Sequence, residues 1–541
     1  MPNKTPSSLP SLASLDVQCD TQCLEFIVPD EAAYDHWRLT PNERFDYRPN
    51  VIAKCQSRSH VKWCVDHCRE NGLKFRVRAG GHHQEGMSSA DGVWIIDLSC
   101  MKTVEYLDDG KHAWIPPGMR LKDLSEELEK RGFLIPVGIC DSVFLGGLVA
   151  GGGWGLSNRR YGYTCDSVVA AEVVLPNGDI VIAEPGAAHH DLLRAILGGG
   201  GGNFGVVTRF KFILHPLVDR LTKIEMTWDP GHTREAARKW ARFQAQLDAN
   251  TALTLGGKIS VGERHTAILQ MSGVYYGALA DAKRAIAELL TDPRPREIEC
   301  VEVQRARQVQ GGDSAPSSTA DTPCTKMVSR AAQVLNSPNG LDDGCNGRHA
   351  FKVSSAFPIF DPRAPQQLDA LIDAVVRYIE GSSHDPCLFN YVSLLGCGGE
   401  AQRERCVSAD AGARLTCVPP TFRERPFMLK FQAWWHPKPG PDGVDILDTH
   451  QVDWVRRFRA TLAEQKLIDG AFINFQDVTL MPNSETAEGR LALLRVYHET
   501  ELEFLMQVKE RFDPHNSFSF GMSLPLASGG ASGTQVRPGL R

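Results

Sequence analysis

The chain has 541 residues, 42% of them hydrophobic and 23% charged, with a formal net charge of -6. This balance is that of a folded globular protein with a well-buried core, and it excludes wholesale disorder. A negative total without a Lys/Arg run argues against a polyanionic partner such as nucleic acid, and no stretch approaches the roughly eighteen apolar residues of a membrane span. The opening "MPNKTPSSLPSLASLDVQ" has no apolar core of the export type, so a soluble protein is expected, cytoplasmic rather than secreted, working as a monomer or homodimer on a small molecule. The 15 cysteines leave at least one unpaired; Cys19 with Cys23, and the group Cys387, Cys397, Cys406 and Cys417, are disulfide candidates only for a secreted chain. None has paired CxxC spacing, so no metal is expected.

In chain order, "SRSHVKWCVDHCRENG" predicts a helix ending at Gly72, "LKFRVR" a strand entering a glycine turn, and "GVWIIDLS" a second strand. "LKDLSEELEKRG" predicts a helix closed by Gly132, and "VVAAEVVLPNGDIVIAEP" a hairpin turning on Asn177 and Gly178. Beyond Leu217, the helices "TREAARKWARFQAQLDA", "ADAKRAIAELL" and "PQQLDALIDAVVRYIEG" alternate with the strands "HTAILQMSGVYYG", "HAFKVSSAF" and "FMLKFQAWWH". Residues 310–323 predict a loop, and "GRLALLRVYHETELEFLMQVKERF" a long terminal helix. The pattern is α+β in three segments: 1–216, a substrate-side sheet with helices over 217–470, and 471–541 returning to the first part.

Three glycine-rich segments, "RAGGHHQEG", "LGGLVAGGGWG" and "LGGGGGNFG", let the backbone approach a ligand and offer bare amides to phosphate oxygens. Gly200, Gly202 and Gly205 spell GxGxxG. A dinucleotide fingerprint, however, needs a strand before and a helix after it, whereas "DLLRAIL" before it is helical and "VVTRFKFIL" after it is a strand. A P-loop is excluded because no Gly-Lys-Ser/Thr follows.

These segments, with "GIC" at 138–140, "FINFQD" at 472–477 and "FDPHNSF", resemble the FAD-linked oxidases of the vanillyl-alcohol oxidase (PCMH-type) superfamily, in the berberine-bridge-enzyme-like branch. The resemblance runs in register from about Pro49 to Pro525. It implies a two-part FAD-binding domain plus a substrate domain of antiparallel sheet covered by helices. It also implies FAD bonded through His82 and Cys140, with cofactor contacts from Arg78, Gly80, Gly81, Gly86, Gly118, Gly151, Gly152, Gly153, Gly155, Asn203, Gly205 and Val206.

The sequence departs from the family where tyrosines often stand: Trp154 lies inside Gly-Gly-Gly-x-Gly, and Phe472 and Phe475 replace both tyrosines of Y-x-N-Y-x-D. Phe and Trp accept no proton, so the base that an alcohol oxidase needs must come from elsewhere. Period-two alternation puts Lys430, Gln432, Trp434 and His436 on one face of their strand. Gln432 matches the family's substrate-orienting position, and His436 and Tyr391 are the candidate bases. Trp154, Trp434, Phe472 and Phe475 are candidates for an aromatic substrate pocket. The expected activity is hydride transfer from an alcohol or C–N centre of a bulky metabolite to FAD, reoxidised by dioxygen to give hydrogen peroxide. Alternatives are an oligosaccharide oxidase and a flavin-fold cyclase or binding scaffold without net redox chemistry.

Overall fold

A computed structural model of the protein describes residues 18–19, 22–247, 252–304, 348–383, 388–403, 414–441, 443–480, 483 and 486–527. The predicted loop at 310–323 lies outside them. The fold is of the expected α+β class.

The first half begins with a four-stranded sheet in the order Glu25–Ile27, Val51–Lys54, Trp94–Asp97, Phe75–Arg78, whose last three strands are parallel. Continuous apolar runs such as "VIA" and "WII" suit parallel strands covered on both faces. Helix Arg58–Glu70 makes one crossover; Ser57 caps it by accepting the His60 amide, and Val61, Cys64, Val65 and Cys68 recur at helical spacing to bury one face. A five-stranded antiparallel sheet follows, in the order Ile180–Ala183, Val168–Val174, Val206–Ile213, His112–Ile115, Glu105–Tyr106. Its first pair is the predicted Asn177–Gly178 hairpin, with Val174 opposite Ile180.

The second half is an eight-stranded antiparallel sheet, with Leu253–Val261, Leu388–Gly396, Phe427–Trp435 and Ala350–Pro358 side by side in its middle. Alternate residues of these strands, including Leu255, Ile259, Val392, Leu394, Leu429 and Phe431, pack under helices Thr233–Gln246, Gln367–Glu380 and Asp448–Glu464. The opposite face carries Tyr391, Trp434, Phe351 and Val353, and its Met428, Leu395 and Phe357 join the core of the first half. Leu494, Leu502, Leu505, Val508 and Phe512 near the C-terminus share that core with Leu192, Phe204 and Phe210.

"FINFQD" is a 3-10 turn over Ile473–Phe475, where side chains take its backbone bonds: the Phe472 amide donates to Ser355 Oγ (2.9 Å) and the Asp477 amide to Tyr497 Oη (2.7 Å). Two local expectations are corrected. The long terminal helix breaks into Ala487–His498 and Leu502–Phe512 at Glu499, whose φ is 45°. "ADAKRAIAELL" ends its α-helix at Ala285 and closes as a 3-10 turn. Of the cysteines considered for disulfides, Cys23, Cys397 and Cys417 are free thiols, while Cys387 and Cys406 lie outside the described residues.

Candidate active site

A cavity of about 270 Å³, open at its mouth, runs between the glycine segments and the Ile473–Gln476 turn. Gly80, Gly81, His82, His83 and Gln84 wall one side, Gly146, Gly147 and Gly151 another, and Gly200, Gly201, Gly202 and Gly205 a third. At two positions the absence of a side chain is required. A Cβ on Gly80 would stand 2.0 Å from the Phe144 ring, and one on Gly151 would stand 2.2 Å from Asn474 Nδ2. Asn474 in turn fixes the loop, accepting the Gly153 amide at 2.9 Å and donating to the Gly147 and Leu148 carbonyls at 3.1 and 3.2 Å.

The His82 turn is shaped to receive an anion. Gly81 takes a φ of 73°, and the backbone amides of Gly81, His82, His83 and Gln84 donate to no protein acceptor among the described residues. Successive free amides aimed into a cavity bind phosphate oxygens, so the cradle fits the pyrophosphate of FAD. Burial lowers the His82 pKa to about 4 against the pull of a hydrogen bond with the Ser142 backbone, which keeps the imidazole neutral at pH 7. His83 is likewise held at about 4 by burial. Its Nδ1 accepts the Glu85 amide at 3.1 Å, and its Nε2 faces Gln476 across the cavity wall without a formed hydrogen bond.

The other cofactor candidates divide. Cys140 is engaged in a disulfide and is absent from the cavity wall, which corrects the expectation that its sulfur bonds the flavin. Arg78 turns its Nε to Asp97 Oδ2 at 2.6 Å and an Nη to the Trp37 carbonyl at 2.7 Å, and Arg76 lines the cavity in its place. Gly86, Gly118, Gly152, Gly153 and Gly155 stand behind the wall. Gly86 lies against the Phe45 ring, and Gly118 and Gly155 press on the Leu98 and Val137 carbonyls. Asn203 also supports from behind, donating to the Gly200 carbonyl at 3.2 Å and accepting the Leu524 amide at 3.0 Å, while Val206 is core.

Beyond the Ile473–Gln476 turn lies the face of the large sheet that its helices leave uncovered. Phe475 belongs to both: it lines the cavity, and Lys430 Nζ sits 4.7 Å from its ring centroid. Lys430, Gln432 and Trp434 share this face, as alternation predicts. Gln432, fully buried, accepts from Tyr391 Oη (3.3 Å) and Trp434 Nε1 (3.4 Å) at its Oε1 and donates to Ser393 Oγ (3.1 Å). Burial brings the Lys430 pKa down to about 7, and that of Lys258, whose Nζ lies 5.0 Å from the Tyr391 ring centroid, to about 8.

Neither candidate base keeps that role. His436 is exposed just past Trp435, the last residue of the strand, and packs against the His349 ring. Burial pushes the Tyr391 phenol far up, making it a hydrogen-bond donor to Gln432. Of the four aromatic pocket candidates, Trp434 and Phe475 stand at the site, with Trp434 and Phe351 rings 4.4 Å apart. Trp154 and Phe472 are core residues: Trp154 Nε1 donates to the Gly396 carbonyl at 3.0 Å, and Phe472 stacks on Tyr163. Lys258 escaped the sequence reading, and Lys430 entered it only as a neighbour of Gln432, because a lysine ordinarily reaches solvent. The available signal is the alternation of "LTLGGKISV" and "FMLKFQAWW", which sets Lys258 and Lys430 on the face opposite an apolar row that packs under the helices.

A glycine-walled cavity with a neutral histidine beside a run of free amides fits a flavin cofactor. Residues 49–184 match the family model described as "FAD binding domain". An uncharacterized FAD-linked oxidoreductase, YgaK, of Bacillus subtilis (strain 168) is 26% identical over 92% of this chain and 96% of its own. Berberine bridge enzyme-like 17 of Arabidopsis thaliana is 24% identical over 91% of this chain and 87% of its own. Among solved structures, wild-type Physcomitrella patens BBE-like 1 shares the fold with a TM-score of 0.72, at 21% identity over 93% of this chain and 97% of that one. Over most of its length the chain is thus similar to FAD-linked oxidoreductases of the berberine-bridge-enzyme-like kind, and it carries an FAD binding domain. No helix among the described residues is long and apolar enough to cross a membrane.

Proposed function

We propose that this protein is an FAD-dependent oxidase, its flavin tethered through His82, that removes a hydride from an alcohol or C–N carbon of a bulky small-molecule metabolite. FAD supplies the hydride acceptor and, with dioxygen as the final oxidant, the route to hydrogen peroxide. The observation that carries the reading is the position of Lys430. Its amine, with a pKa of about 7, lies beside Gln432 and against Phe475, whose own ring walls the cofactor cavity.

Lys430 accepts the hydroxyl or amine proton as the hydride leaves, a contribution worth roughly 10²–10⁴ in rate for a positioned base. An amine near neutrality suits this work, because at pH 7 a large share is unprotonated and still basic. Gln432, held by Tyr391, Trp434 and Ser393, orients the substrate. Trp434, Phe351 and Phe475 offer flat apolar surface to its body. The His82 ring stays neutral and keeps a nitrogen lone pair for the bond to the cofactor.

The test is acid precipitation of the purified protein followed by peptide mapping. Yellow colour retained in the pellet, on a peptide containing His82, is expected, and its loss in His82→Ala should follow. A wild-type protein isolated without any flavin sinks the oxidase reading. Colour released to the supernatant removes the tether alone.

A further inference from the structure

Residues 142–146 meet the His82 turn at two points. On their far side they are pinned by the main chain: the Leu121 amide donates to the Val143 carbonyl (2.8 Å), the Leu145 amide to the Met119 carbonyl (2.9 Å) and the Gly146 amide to the Pro117 carbonyl (3.0 Å). Cys140, two residues before Ser142, is held by its disulfide. On the near side the Ser142 carbonyl takes a hydrogen bond from the His82 ring. The second point is Phe144, whose half-buried ring lies over Gly80, with Cδ2, Cγ and Cε2 at 2.0, 2.5 and 2.7 Å from where a Cβ would stand. Phe144, Gly80 and His82 all line the cofactor cavity.

Resting on the His82 tether proposed above, we infer that Phe144 is a positioning residue for formation of that tether. Its ring, seated on Gly80, sets the gap across which the Ser142 carbonyl holds one nitrogen of His82, and so directs the other nitrogen at the methyl carbon of the flavin ring that receives the bond.

The chemistry of the step says why this spacing matters. The nitrogen that keeps its lone pair joins the methyl carbon, while one methyl C–H and the imidazole N–H are given up as protons. The two electrons left by the C–H bond reduce the flavin, and dioxygen takes them and leaves as hydrogen peroxide. The ring turns cationic as it attacks, and a carbonyl already bonded to its N–H stabilises that charge without reorganising. Burial keeps the ring neutral beforehand, at a pKa of about 4, so the lone pair is available. A hydrogen bond weakens steeply when bent, and a misplacement of about 1 Å costs roughly 10²-fold in rate. A flat, rigid ring against a residue without a Cβ fixes such a gap, and the main-chain anchors hold its segment only from the other side.

The assignment is tested on full-chain protein produced under riboflavin starvation and then given FAD in air. Samples quenched in acid over time are read for flavin fluorescence retained on the His82 peptide, and FAD affinity is read separately by anaerobic fluorescence titration, where no dioxygen completes the bond. Wild type should tether its flavin fully. Phe144→Ala should tether about tenfold to a hundredfold more slowly at saturating FAD, with an affinity within about threefold of wild type. Phe144→Tyr, which keeps the ring, should tether at the wild-type rate. Phe144→Leu keeps apolar bulk at the wall, which guards against loss of the fold, and should also be slow. Wild-type speed in both Phe144→Ala and Phe144→Leu overturns the assignment, as does slowing that merely follows weaker FAD binding, and either result leaves the tether standing. Wild type that binds FAD without bonding it to His82 overturns the tether and the assignment together.

Discussion

Two buried lysines on neighbouring strands, Lys352 and Lys430, have opposite fates. Burial alone would lower the pKa of Lys352, but the Asp477 and Glu85 carboxylates overcome it and hold the ammonium above its ordinary value. Lys352 Nζ meets Asp477 Oδ1 at 2.6 Å and also bonds Glu85, and Arg44 completes the charge balance 3.8 Å from Glu85. On the other face of the same strand pair, burial takes Lys430 down to about 7. The residue type is shared and so is the burial. Carboxylates on the adjoining segments make one amine a strut between the His82 turn, the sheet and the Ile473–Gln476 turn, and burial against aromatic groups leaves the other with a pKa suited to the base role proposed for it.

The comparison can be broken at four points. Lys430→Met should slow substrate reduction of the flavin in anaerobic stopped flow by about 10²–10⁴ while leaving the unfolding midpoint unchanged or higher, since a desolvated amine is removed. A normal rate in this variant would return the base to another residue. Lys352→Ala should do the reverse. Stranding two buried carboxylates costs about 3–5 kcal/mol, read as a lower unfolding midpoint, and variant molecules that remain folded should react at near wild-type speed.

The pH dependences separate the two amines as well. As the base must be unprotonated, the rate of flavin reduction should climb with pH and level off above about 7, lying roughly tenfold below its plateau one unit lower. A profile flat from pH 6 to 8 contradicts this. The strut behaves otherwise. The Asp477 carboxyl is held below its ordinary value, so its stabilisation is present above the usual carboxylate pKa and is lost as pH falls through the folded value. The raised Lys352 contributes below the usual lysine pKa and is lost as pH rises past its own folded value. Thermal midpoints should therefore fall in acid and in strong alkali. The smallest effect belongs to Trp154→Phe. Losing one hydrogen bond to the Gly396 carbonyl, which Asn158 also reaches, costs about 0.5–1.5 kcal/mol and should leave the rate of flavin reduction untouched.

Much of the cofactor side was legible because its chemistry is local. A glycine pair before a histidine must turn tightly and bare its amides, and His82, Gly80, Gly81, Gly151 and Gly205 all reach the cavity wall. The same motifs overreached at Gly118 and Gly155, whose lack of a side chain admits a neighbouring carbonyl rather than a cofactor. They overreached again at Arg78, whose charge is spent on Asp97. Motif spacing registers that a residue is constrained without saying which neighbour constrains it.

The sequence by itself determined the α+β class, the glycine turn that carries His82, and the shared face of Lys430, Gln432 and Trp434, since each follows from backbone freedom or from a period of two or 3.6 residues. Tertiary structure alone decided that Trp154 and Phe472 are core, that His436 is exposed, and that the Cys140 sulfur is already spent. Those outcomes depend on which distant segments pack together, and the pKa of a buried amine is set by the charges and apolar groups such packing brings beside it.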